Sequence, residues 1–131
     1  MNTHFQTVKD YLLELDYTIV QEDENDGVLV VENEDEGIKN VVLIISDPIL
    51  IVEQYLFDLP ANSKDIYRKL LAKNRDIIHG AFALDETGNR VLFRNTHECE
   101  NLDLNEIEAT LNSLSLLLSE YADELIGFSK Q

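Results

Sequence analysis

The stretch from Leu70 to Leu92, LLAKNRDIIHGAFALDETGNRVL, constrains the fold more than any other part of the chain. A helix-forming segment that is rich in Lys and Arg passes through Asn74 into His79-Gly80. Two short apolar runs follow, Gly80 to Asp85 and Asn89 to Asn95, separated only by Glu86-Thr87-Gly88. Strands joined by so short a turn must pair antiparallel, because a parallel pair needs a crossover of a dozen or more residues. The upstream segments carry the same punctuation. Tyr17 to Glu22 and Gly27 to Glu32 flank Asn25-Asp26-Gly27, which supplies the left-handed backbone of a tight hairpin. Asp35-Glu36-Gly37 leads into Ile38 to Ser46, and Asp47-Pro48 reverses the chain into Ile49 to Phe57.

Three helices are expected around these strands. The first spans about Thr3 to Leu15: Thr3 and Gln6 form a capping box, and Phe5, Val8, Leu12 and Leu15 share one face. The second follows the loop Leu59-Pro60-Ala61-Asn62-Ser63 and runs to about Ile78. Its apolar face is Ile66, Tyr67, Leu70, Leu71, Ile77 and Ile78, with Asn74 on the same face. The third begins at Asp103, with Glu106 three residues on and Leu102 and Ile107 placed as a hydrophobic staple. Leu104, Ile107, Leu111, Leu114, Leu118, Tyr121 and Leu125 then recur at helical spacing. The order is α-β-β-β-β-α-β-β-α, an α+β fold with an antiparallel sheet of five or six strands flanked by helices. With no repeat, no low-complexity linker and 131 residues, the chain reads as one domain over 1–131. The unbroken run Val41-Val42-Leu43-Ile44-Ile45 predicts either a strand covered on both faces or a central strand beside a subunit interface.

Charge narrows the class of partner. Twenty-six acidic against 10 basic side chains give a formal net charge of −16, which repels phosphate backbones and anionic lipid. Neither nucleic acid nor a membrane surface is therefore an expected partner. Basic clients, or apolar segments that need a soluble escort, are favoured. A lone Cys99 allows no intrachain disulfide, and the first residues lack the basic and apolar regions of a signal peptide. The most apolar window, Val41 to Phe57, is interrupted by Asp47-Pro48 and Glu53 and is too short to span a bilayer. A cytoplasmic protein is the expectation.

Reaction chemistry is not visible. Glu22, Glu24, Asp26 and Gly27 imitate the start of a calcium-binding loop, but the twelfth position is Asn33 where a bidentate Glu is needed, and the flanks are strands. The acidic hairpins retain only the capacity for weak cation binding. The zinc-ligand pool is Cys99, His4, His79 and His97, of which only His97 and Cys99 are close in sequence. As a Cys–His nucleophile pair they lack an orienting group, and the acids Glu98 and Glu100 would raise the thiol pKa. His79, at the expected end of the second helix, suits the C-terminal dipole. No phosphate-cradling glycine loop and no nucleophile elbow occurs, so no cofactor, metal or catalytic residue is assigned.

Three features stand out. Lys64, Arg68, Lys69, Lys73 and Arg75 place half of the basic residues on the second helix, either to compensate the acidic hairpins or to form a basic edge for an acidic or C-terminal peptide. Asn74 is costly to bury unless its amide is bonded, and it is expected to tie the helix end to the following hairpin. The last helix carries Leu116 and Leu117 beside Leu114 and Leu118, an apolar stripe that is either core or, being too wide for one small domain to bury with ease, a dimer or client surface. Leu114, Leu117, Leu118 and Tyr121, with Lys64, Arg68 and Arg75, form the expected partner or dimer surface.

The segment Leu70-Leu71-Ala72-Lys73-Asn74, followed by His79-Gly80-Ala81-Phe82-Ala83-Leu84-Asp85 and the Gly88 turn, resembles the YbjN-like family of small bacterial proteins. That family is similar in fold to the type III secretion chaperones, including the Tir-chaperone-like group. The resemblance extends over the element order of nearly the whole chain. It implies a homodimer that holds an extended, partly unfolded client across apolar patches, with Asn74, Gly80 and Phe82 as structural positions and no catalytic residues. Two functions are thus expected: a chaperone-like module capturing a peptide, by apolar contact and edge-strand pairing, or an acidic regulator or inhibitor occupying a basic site on another protein. A hydrolase or metal enzyme would need a buried polar cluster that the sequence does not supply.

Overall fold

The computed structural model describes residues 3–130. Its elements are α1 (Thr3–Glu14), β1 (Thr18–Asp23), β2 (Val28–Asn33), β3 (Ile38–Ser46), β4 (Ile49–Asp58), α2 (Lys64–Asn74), β5 (Ala81–Leu84), β6 (Arg90–Glu98) and α3 (Leu104–Ser129), with a 3-10 turn at Glu34–Glu36. The six strands form one antiparallel sheet in the order β1-β2-β3-β4-β6-β5, the α-β-β-β-β-α-β-β-α architecture expected from the turns. Because α2 carries the chain past the position that β6 later fills, β5 ends up as an outer edge and β1 as the other.

Alternation along the strands sets the layers. Leu29, Val31, Val41, Leu43, Ile45, Leu50, Val52, Val91 and Phe93 are buried on one face, against Phe5, Val8 and Leu12 of α1 and Ile107, Leu111 and Leu114 of α3. The period of two sends the intervening residues to the opposite face. There Val28, Val30, Val42, Ile44 and Ile51 are half-buried, shielded mainly by one another across registered pairs such as Val30–Val42 and Ile44–Ile51. The run from Val41 to Ile45 is therefore a central strand buried on one face and half-buried on the other, so the first of the two alternatives, cover on both faces, does not hold.

Helix ends follow local chemistry. Asp103 caps α3 by accepting a hydrogen bond from the Glu106 backbone N–H at 2.9 Å. The Thr3 side chain lies outside the described residues, so the proposed Thr3–Gln6 box is not defined; Gln6 instead donates to Asp10 at 2.8 Å. The largest departure from expectation is α2, which ends at Asn74 rather than near Ile78. From Arg75 onward the backbone tightens into i→i−3 bonds, Asp76 N–H to Lys73 at 3.0 Å and Ile77 N–H to Asn74 at 3.3 Å. His79 is consequently not a helix-terminal residue.

Candidate protein-binding surface

Asn74 and Phe82 organise the edge where α2 meets β5. The Phe82 N–H donates to Asn74 Oδ1 at 2.7 Å, and Asn74 Nδ2 donates to the Phe82 carbonyl at 3.2 Å. One carboxamide thus occupies both backbone groups of a strand residue. Gly80 holds the segment entering β5 close to the sheet: at φ +105° its Cα lies where a Cβ would come within 2.4 Å of Phe93 Cζ and 2.5 Å of Cε1. Phe82 is buried and packs at 6.4 Å, ring to ring, on Tyr121 of α3.

On either side of this hub lies an apolar groove. The α2–β5 groove, about 340 Å³, is lined by Tyr67, Leu70, Leu71, Phe82, Leu84 and Val91. A second, about 310 Å³, lies between the 75–80 segment and α3, with Ile77, Ile78, Leu116, Leu117 and Tyr121 among its walls. The rims hold most of the strongly exposed large apolar side chains: Ile78 at 87 %, Leu71 at 70 %, Leu116 at 64 %, Leu84 at 44 % and Tyr67 at 40 %. Contiguous exposed apolar side chains of this kind make the grooves candidate contact surfaces.

This placement revises the expected surface. Leu114 and Leu117 are core residues, and Leu118 and Tyr121 are half-buried against that core. α3 turns Leu114 and Leu117 toward the sheet, and the residue left outside is Leu116. Tyr67, Leu71 and Ile78, assigned from spacing to a buried helix face, stand in solvent. The signal was present in the breadth of the pattern: apolar residues at 66, 67, 70 and 71 cover a wider arc than the contact of a short helix with one strand can hide.

The basic residues of α2 divide by face. Lys73 bonds Glu124 of α3 at 2.8 Å and lies over the Tyr121 ring at 4.7 Å, while Lys69 lies 5.8 Å from the Phe128 ring. Lys73 thus compensates a charge within the chain, whereas Lys69 only faces an aromatic ring. Lys64, Arg68 and Arg75 recur at helical spacing beside Leu71, are exposed, and make no ion pair among the described residues. The nearest carboxylates in sequence, Asp65 and Asp76, do not bridge to them.

The remaining polar groups do not assemble a reactive centre. His97 Nε2 and Asn95 Nδ2 each lie 2.8 Å from the hydroxyl of Thr110, the buried polar residue that joins β6 to α3. Burial pushes the His97 pKa down; Glu106 opposes the shift and His79 adds to it. No hydrogen bond joins His97 to Cys99 among the described residues. The Cys99 thiol is buried, and its pKa is raised by that burial and by Asp47, rather than by the adjacent Glu98 and Glu100. Among the described residues no group of three or more His, Cys, Asp or Glu side chains is placed to hold a metal, and no helix is long and apolar enough to cross a membrane.

Comparison with known proteins places this geometry. The CesT_Tir_1 family model matches residues 1–131. No curated protein matches the sequence. Among solved structures, YbjN from E. coli, described as a candidate transcription regulator, superposes with a TM-score of 0.68 at 12% identity, covering 91% of each chain. A chain of the heterodimeric ExoU–SpcU complex from the type III secretion system of Pseudomonas aeruginosa gives 0.69 at 14% identity, covering 94% of this chain and 98% of that one. The Yersinia pestis type III secretion chaperone SycH, in complex with a stable fragment of YscM2, gives 0.60 at 18% identity, covering 97% and 100%. At these identities the likeness is one of fold.

Proposed function

The chain belongs to the CesT_Tir_1 family, and on that premise we propose that it is a non-enzymatic, chaperone-like protein-binding module of the cytoplasm. It captures a segment of a partly unfolded client, works as a homodimer, and binds neither nucleic acid nor membrane. The observation that carries this reading is the concentration of exposed apolar side chains in two grooves around β5. Fully burying one large aliphatic side chain contributes roughly 1.5–3 kcal/mol, whereas an exposed ion pair contributes about 0–1 kcal/mol. Apolar contact is therefore the main source of affinity, and charge selects among partners. Two grooves of similar size leave room for a client and a second copy on one small chain. One solved complex of similar fold holds the type III secretion chaperone SycH with a stable fragment of YscM2.

A capture experiment at low and at high salt tests the reading. A client retained by the wild-type protein in high salt and lost from a Leu71→Glu, Leu116→Glu double variant supports it. A solution mass near twice 15.0 kDa supports the homodimer. A monomer that retains nothing contradicts both. The net charge of −16 favours a second reading, an acidic regulator seated on a basic site of another protein. Such binding would fall steeply as ionic strength rises and would ignore the double variant.

A further inference from the structure

A third cavity, of about 80 Å³, opens where the α1–β1 link, the 3-10 turn and α3 converge. Its polar wall is Tyr17, Asn33, Glu36, Glu108 and Asn112, and Leu15 and Leu111 complete it. Glu108, Leu111, Asn112 and Ser115 follow helical spacing, so they share one face of α3. Ser115 Oγ donates to the Glu36 carbonyl at 2.7 Å and lies 3.2 Å from Glu36 Oε2, which ties the turn to that face. Several of the polar groups here are unspent. Asn33 precedes the turn without a side-chain capping bond, and Glu108 makes no ion pair among the described residues. Tyr17 carries the most weight: it is only 6 % exposed and lines the pocket, yet its hydroxyl has no hydrogen-bond partner among the described residues. Burial and the Glu36 carboxylate push its pKa up to about 12, so the phenol stands near that carboxylate and stays neutral. A buried hydroxyl left without a partner costs free energy that a ligand would recover.

The wall selects the ligand. Two carboxylates, Glu36 and Glu108, call for a cation. Calcium takes about six to eight oxygens with several carboxylates among them, and a neutral phenol is no ligand for it. Among the described residues no group of three acidic, His or Cys side chains is placed for a metal. A guanidinium favours a free carboxylate for a two-point bond, and Glu36 already lends one oxygen to Ser115. A primary ammonium instead asks for single acceptors in separate directions, which carboxylate, phenol and carboxamide oxygens supply. Leu15, Leu111 and the Tyr17 ring then flank an alkyl stem. We propose that this pocket binds a primary alkylammonium group, with Glu36 and Glu108 balancing its charge and the Tyr17 hydroxyl accepting one of its hydrogen bonds. The site is separate from the two apolar grooves' role in client capture, and its test does not depend on that role.

Nuclear magnetic resonance titration of the full chain tests this with probes of equal charge. n-Butylamine carries the ammonium and its stem alone, and Nα-acetyl-lysine methylamide adds a peptide backbone. Tetramethylammonium keeps the charge without any N–H donor. Amide shifts from both amines should centre on residues 15–17, 33–36 and 108–115, with affinity at least about tenfold above that of tetramethylammonium. Tyr17→Phe keeps the ring and removes only the hydroxyl, and should weaken n-butylamine about three- to tenfold. Glu108→Gln, at an exposed site, should weaken it about threefold. Circular dichroism would verify that both variants fold. Equal affinity for the two amines supports a free alkylamine as the ligand, and a lysine amide at least about threefold tighter supports a lysine side chain. The proposal is overturned if neither amine binds there, or if tetramethylammonium binds as well, since general attraction to an acidic chain would then suffice. It is also overturned if calcium binds the pocket more tightly than the amines, or if Tyr17→Phe leaves their affinity unchanged.

Discussion

The two edges of the sheet are closed in different ways. β1 is polar and irregular: its register with β2 shifts between Ile19 and Gln21, Val20 is exposed, and Lys9 of α1 pins Glu22 at 3.0 Å. A bulge combined with charge discourages both backbone and apolar contact along its length. β5 is four residues long and apolar, and a single carboxamide closes its backbone while the side chains beside it stay available. Closing an edge against strands does not close it against side chains. Where the two are separated, as at β5, the result is an exposed apolar surface that offers no edge for sheet-like aggregation.

The comparison can be broken most forcefully at Gly80. Gly80→Ala adds a Cβ within 2.5 Å of the Phe93 ring at a positive φ, and should cost on the order of 3 kcal/mol, read as a large fall in Tm. Gly88→Ala, also at positive φ but with no atom within 4 Å, should cost only about 1 kcal/mol. An equal loss at the two would mean that Gly80 is needed for conformation alone. Asn74→Ala should cost about 1–3 kcal/mol by chemical denaturation, since two part-buried backbone groups lose their partner. Val20→Ala on the β1 edge should stay within about 0.5 kcal/mol.

A smaller expected effect on stability separates binding from folding. Leu71→Glu places an acid four residues before Arg75, so its stability should change by no more than about 0.5 kcal/mol while partner affinity falls. Val20→Glu should change neither. Smaller still are the pH effects, which act at opposite ends of the pH range. Burial lowers the His97 pKa, so the unfolded chain binds the proton more readily; stability is complete above the unfolded value and declines as pH falls through and below it. Thermal melts at pH 7.5 and 5.5 should show a wild-type loss that His97→Gln reduces. Near β1, burial and Glu36 push the Tyr17 pKa up to about 12. Its contribution is present below the unfolded value and is lost as pH rises from about 10 to 12. Tyr17→Phe should therefore lose less stability than the wild type at pH 11.

The element order was legible because every strand connection but one is a short turn with Gly or Pro in it. The end of α2 was not. Ile77 and Ile78 prolong the helical spacing, and no local pattern reveals that the Asn74 amide is committed to the backbone of Phe82 eight residues later. The excess of apolar residues near the carboxyl end was legible, but its exposed members were not. The composition of α3 is compatible with several rotations about its axis, and packing on the sheet selected the one that buries Leu114 and Leu117 and exposes Leu116. Of the basic helix, Lys73 compensates a carboxylate of α3, while Lys64, Arg68 and Arg75 face solvent, a division that spacing implies only once the position of α3 is known.

Amide hydrogen exchange at Phe82 probes the closed edge most directly. In the wild-type protein this amide should exchange slowly, and in Asn74→Ala it should approach the rate of the outward-facing amides of β1. Fast exchange in the wild type, or an unchanged rate in the variant, would show that the carboxamide does not close the strand.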